Sequence, residues 1–188
     1  MREAPPQSRL AMLVDPFERF GGGTAVVFGA VISIASIAAS RLGIRFDGFL
    51  DFHVSPSHTP ALWTSVADQL VGWLLPAACF WAYARVLNRH VRAIDFLGMA
   101  GLARLPILIG ALATFPLTPP SLPIPTELTT RMLVVLPIAL ACGAANITLL
   151  YKGFKNAAGL TGTRLVGGFV GLVVFVEVLS HVALVWLT

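Results

Sequence analysis

Four polar side chains stand inside otherwise apolar runs of this chain: Arg104, Asn146, Glu177 and His181. Glu177 and His181 are four residues apart, so on a helix they share a face. A carboxyl and an imidazole so placed could form a proton relay, an acid–base couple or half of a metal site. Asn146 could extend such a relay or hydrogen-bond a neighbouring helix. Arg104 and Glu177 carry opposite charges, and each costs roughly 2.5–3.5 kcal/mol near the centre of a bilayer on insertion scales. An Arg104–Glu177 pair inside a helical bundle would offset much of that cost. With spans starting at Phe96 and Leu165, the two lie ~12 Å and ~18 Å deep at helical rise, an offset an Arg side chain can bridge. The competing expectation is that Arg104 snorkels to the interface. Glu177 would then be protonated, or bond a backbone group freed by Pro76 or Pro106.

Other candidate chemistry is sparse. Residues 43–59 hold Arg45, Asp47, Asp51, His53 and His58, and two His with two Asp invite a metal. Their spacing matches no dense ligand motif, so a polar outer loop without metal is the expectation. There is no Ser-His-Asp set, no His-Glu-x-x-His and no phosphate-cradling glycine loop. Gly159 and Gly162 suit turns. Cys79 and Cys142 fall in apolar segments and are expected to pack rather than pair. The expectation is no catalytic residue, no cofactor and no enzyme.

The elements that must position these groups are membrane spans. The chain has 188 residues, 56% hydrophobic and 12% charged, with a mean hydropathy of +0.82. Soluble domains carry roughly 25% charged residues. The net charge of +4 sits in short loops between apolar runs, which argues against a nucleic-acid partner. The expected fold is all-α: five transmembrane helices over about 24–42, 62–87, 96–115, 132–151 and 165–187, each long enough to cross ~30 Å of hydrocarbon.

Within this 24–188 domain, Ala25, Gly29, Ser33, Ser36 and Ser40 make a stripe of small residues on the first span, and Gly167 and Gly171 suggest a second close-packing face on the fifth. Pro116, Pro119, Pro120, Pro123 and Pro125 predict a stiff extended connector. Residues 1–23 are too weakly apolar for a signal peptide. Leu10, Leu13, Val14, Phe17 and Phe20 instead suggest a short amphipathic interfacial segment.

Lys and Arg set the orientation. One side collects Arg2, Arg9, Arg19, Arg85, Arg89, Arg92, Lys152, Lys155 and Arg164, and the other Arg41, Arg45 and Arg131. By the positive-inside rule the amino terminus is cytoplasmic and the carboxyl terminus outside, in the cell's inner membrane. Arg85, Arg89, Arg92, Lys152, Lys155 and Arg164 form two cytoplasmic basic loops, the second placed between Leu149 and Arg164.

Several pieces resemble the Yip family of Ypt/Rab-interacting multi-pass membrane proteins. They are Asp15-Pro16-Phe17, Leu102-Ala103-Arg104-Leu105-Pro106, Tyr151-Lys152-Gly153-Phe154-Lys155, Gly159-Leu160-Thr161-Gly162 and Glu177-Val178-Leu179-Ser180. The resemblance spans about 10–188 and rests on the order and spacing of short motifs. It implies five spans with a cytoplasmic amino terminus. The longer cytosolic region of eukaryotic members has no counterpart, so the similarity is to the short bacterial branch, and Rab binding is not implied. The functional expectation is a non-enzymatic bundle that binds other membrane proteins or itself, or organises the bilayer. The alternative is a transporter or channel component using Arg104, Glu177 and His181.

Overall fold

In the computed structural model, residues 17, 21–118 and 130–187 are described. Six α-helices and one small hairpin follow in chain order: α1 (Gly22–Ala39), β1 (Ile44–Arg45), β2 (His53–Val54), α2 (Leu62–Leu87), α3 (Ala93–Ala103), α4 (Leu105–Thr114), α5 (Thr130–Ala158) and α6 (Gly162–Leu187). Together they supply five segments long and apolar enough to cross a membrane: 22–42, 62–87, 93–117, 130–158 and 162–187. The chain has the build of a multi-pass, all-α membrane protein. The segment around Leu10–Phe20 and the connector from Pro119 to Pro125 lie outside the described residues, except for Phe17. Pro116 sits in a 3-10 turn, Phe115–Leu117.

Two features depart from the expected spans. The third span is broken at Arg104, which ends α3 and begins α4. Pro106 has no N–H for the Leu102 carbonyl, but its fixed φ suits the first turn of a new helix. The second departure concerns residues placed in basic loops by the sequence: Arg85 lies in α2, Arg164 in α6, and Lys152 and Lys155 in α5. Here α5 continues through them to Ala158 because Gly153 and Phe154 face the core. Gly159, at φ 62°, then ends the helix, its N–H donating to the Lys155 carbonyl at 3.2 Å. A left-handed glycine at this position stops a helix at no steric cost.

The third span (α3 and α4) is the hub of the bundle, much the most buried of the five. It meets α1 almost backbone to backbone. A Cβ on Gly29 would lie 2.8 Å from the Gly101 Cα, and one on Gly98 would lie 2.6 Å from the Ala25 Cβ. All five residues of the small stripe on the first span are buried. In lipid, such close approach gains dispersion contacts that apolar bulk alone does not supply. An aromatic cluster joins α2, α5 and α6: Phe80 and Phe154 meet edge-on with centroids 5.1 Å apart, and Tyr151 meets Phe169 at 5.2 Å.

The fifth span corrects the sequence expectation. A Cβ built on Gly167 or Gly171 would meet nothing within 4 Å among the described residues, whereas one on Gly168 would run into the Tyr83 ring. The outward face of α6 carries Val166, Val170, Val174 and Val178, all exposed.

One end of the bundle gathers the basic segments. There Asn88 donates to the Ala158 carbonyl at 3.1 Å and Tyr83 to the Arg164 carbonyl at 2.8 Å. Arg92 forks onto Asp95 at 2.9 and 3.0 Å. The opposite end carries the β1–β2 hairpin.

Candidate functional site

Two polar regions emerge, one sealed within the bundle and one on its rim. The sealed region centres on Arg104, whose side chain is 3% exposed. Its Nη1 donates to the Gly72 carbonyl at 2.7 Å and its Nη2 to the Gln69 Oε1 at 3.0 Å. The first acceptor exists because of a proline four residues on. Pro76 lies inside α2 and has no N–H to give Gly72, so that carbonyl has no partner within its own helix. A charge-assisted hydrogen bond from Arg104 supplies one. Gly72 must also be glycine, since a Cβ there would run into the guanidinium.

Asp68, 1% exposed, extends the network toward the rim, accepting from Arg45 Nε at 3.4 Å. Asp68 shares no hydrogen bond with Arg104, but its charge lies close enough to favour the buried guanidinium. Three further polar atoms of this network, Asp68 Oδ1, Gln69 Nε2 and Arg104 Nε, have no hydrogen-bond partner among the described residues.

The helix break at Arg104 also accounts for Asn146. Its Nδ2 donates to the Ala103 carbonyl, the last of α3, at 2.7 Å. As expected from sequence, this asparagine ties one helix to another. Among the described residues no hydrogen bond joins it to Glu177 or His181.

The Arg104–Glu177 pair expected from opposite charge does not form. Glu177 Oε2 accepts the Leu50 N–H at 3.0 Å, and Ser180 Oγ accepts the Phe49 N–H at 3.1 Å. The loop of residues 43–59 folds back onto α6 and takes the carboxylate for its own backbone. Arg104 is meanwhile satisfied by α2. Sequence depth placed the two within reach, but a polar backbone nearer to each supplied the partner. His181 Nε2 stands 3.9 Å from Glu177 Oε1, as their four-residue spacing implied.

The rim region is built by this same loop. Ile44 pairs with Val54 and Arg45 with His53, antiparallel. Phe46 and Phe49, each 1% exposed, anchor the loop in the bundle. The hairpin closes Asp47, Asp51 and His53 into one group, with a ligand-type atom from each within 4.8 Å of the others. His53 Nδ1 is 2.8 Å from Asp47 Oδ1. Burial pushes the Asp47 carboxyl up, but the His53 hydrogen bond and charge outweigh it and hold it below its ordinary value. The hydrogen bond to Asp47 raises the His53 imidazole above its ordinary value against a desolvation cost, with the Asp51 charge adding to the rise.

His53 lies between two cavities. One, of about 570 Å³, is bordered by polar side chains that include Arg45, Asp47, Ser55 and His58. The other, of about 360 Å³, is largely apolar and includes Ile107, Val135, Ala139 and Leu140. Sequence reasoning met these loop residues only as a scattered set. Offsets of four and two residues become a cluster only once the hairpin is formed.

Comparison with family models, with curated proteins and with solved structures finds no match for this chain.

Proposed function

We propose that this protein is a non-enzymatic membrane scaffold of the Yip type. In this reading its basic end faces the cytoplasm and its outer helices contact other membrane proteins or a second copy. The observation that carries it is the state of Arg104: nearly fully buried, and held by a proline-freed carbonyl and an amide. A charge in that setting stabilises the packing of α2 against the third span and has no freedom to move ions. A transport path would need Arg104, Glu177 and His181 along one line. Arg104 is committed to α2 and Glu177 to the outer loop, which weighs against that reading. The gathering of Arg85, Arg89, Arg92, Lys152, Lys155 and Arg164 at one end supports the orientation. The exposed face of α6 around Gly167 and Gly171 supports a role in helix–helix association.

Two experiments test this. A reporter active only in the cytoplasm should work when inserted near Ala158 and be silent when fused after Thr188; the reverse pattern would overturn the orientation. A photo-crosslinking residue at Val174 in native membranes should give discrete protein adducts. Lipid adducts alone would overturn the partner-binding role.

A further inference from the structure

We propose that Asp47, Asp51 and His53 form a binding site for one divalent transition-metal ion, best matched by zinc, at the outer rim of the bundle. The donor set is one imidazole nitrogen and two carboxylates, each contributing one atom within 4.8 Å of the others. Zinc takes imidazole and carboxylate ligands at roughly 2.0–2.2 Å, and three protein ligands leave a fourth position open. Two donors on one tetrahedral ion stand roughly 3.3–3.6 Å apart, so the donor atoms draw together by side-chain rotation to close the set. Calcium prefers six to eight oxygens, and magnesium keeps most of its water, so a site with an imidazole favours neither.

The loop is stiff enough to hold such a site. The Arg45–His53 register fixes the two strands, and buried Phe46 and Phe49 pin the turn between them. The bonds from Phe49 and Leu50 to Ser180 and Glu177 fasten it to α6.

An independent feature concerns α6, which brings a second imidazole and a third carboxylate to the same turn. His181 packs against Gly48 so closely that a Cβ there would lie 2.5 Å from Cε1 of the ring, and 3.3 Å from the Asp51 Cβ. His181 and Glu177 therefore flank the turn of residues 47–53, outside the three-residue group itself. The cavity bordered by Asp47, His53 and His58 gives an ion access from the water side.

The charge balance is explicit. Where His53 is protonated against Asp47, the entering ion displaces that proton to solvent and takes the Nδ1 lone pair. Arg45, next to Asp47 and paired with Asp68, sets a positive charge beside the site, against which the two carboxylates act.

The test is zinc titration by calorimetry of the full-length protein in detergent, stripped by chelator, together with cobalt(II) absorption as a spectroscopic report of the ligands. Saturable binding of a single ion per chain is expected. His53→Ala and Asp51→Asn should each weaken it about tenfold or more, the scale for loss of a metal-site contact. His58→Ala, in the same cavity but outside the cluster, should leave it nearly unchanged. Circular dichroism checks that each variant is folded. The proposal is overturned by absence of saturable binding to the folded wild type, by unchanged affinity in folded His53→Ala, or by an equal loss in His58→Ala.

Discussion

The sealed network around Arg104 and the rim cluster around His53 use the same few residue types to opposite ends. Around Arg104 a guanidinium, a carboxylate and an amide are buried between α2 and the third span, and the guanidinium is held by a backbone carbonyl. Around His53 an imidazole and two carboxylates sit on a hairpin facing a cavity, with the His53 side chain 64% exposed. In the first region the groups are withdrawn from the surface, and each unmet partner costs the full desolvation penalty. In the second, water screens the charges, and an ion or proton can come and go. Burial decides which polar group holds the fold and which is available for binding.

Substitutions should separate the two regions by size of effect. Arg104→Met should be the most damaging, removing the partner of Gly72 and Gln69 and leaving Asp68 with Arg45 alone. Breaking a buried charged network in this way costs about 3–5 kcal/mol, read as a large fall in the melting temperature in detergent. Asn146→Leu should follow, at about 1–3 kcal/mol, because the Ala103 carbonyl loses its donor inside the bundle. Urea unfolding measures it, and a loss under ~0.5 kcal/mol would show that the broken third span needs no tie to α5.

At the rim the effects should be smaller. Glu177→Gln keeps an oxygen to accept the Leu50 N–H, so a loss below about 1 kcal/mol is expected, the scale of one hydrogen bond. The Asp47–His53 contact should be smaller still, about 0.2–1 kcal/mol for an exposed pair. Its pH dependence has a definite sign. The raised His53 contributes fully below its unfolded value near 6.5 and loses that contribution as pH climbs through the folded value. The lowered Asp47 contributes above its unfolded value near 3.8 and loses it as pH falls through the folded value. The pair should therefore stabilise most between those limits. In metal-free buffer, melting of wild type and Asp47→Asn should differ most near pH 5 to 6 and converge above neutrality.

The spans were legible because each is a long apolar run bounded by charged or turn residues, and the small stripe on the first span announced its contact with the hub. The partner of Arg104 was less visible because pairing opposite charges by depth points to Glu177. The actual acceptor is a backbone carbonyl whose availability is encoded by Pro76, four residues away from Gly72. That signal was present: a proline within a span frees the carbonyl one turn earlier, and a nearby Arg is a natural donor. The rim cluster was hidden for a different reason. Asp47, Asp51 and His53 fit no helical or linear ligand spacing, and only the pairing of Arg45 with His53 joins them. Gly167 and Gly171 show the converse, a motif for close packing that meets no other helix among the described residues.

The account turns on Arg104 belonging to α2 and not to Glu177. Thermal-unfolding double-mutant cycles in detergent test this directly, combining Arg104→Met once with Gln69→Leu and once with Glu177→Gln. Residues in contact couple by about 0.5–3 kcal/mol, and separate sites add within about 0.3–0.5 kcal/mol. Coupling with Gln69 and additivity with Glu177 are predicted. Additivity with Gln69 together with coupling above ~1 kcal/mol to Glu177 would contradict the account and restore the charge pair across the bundle.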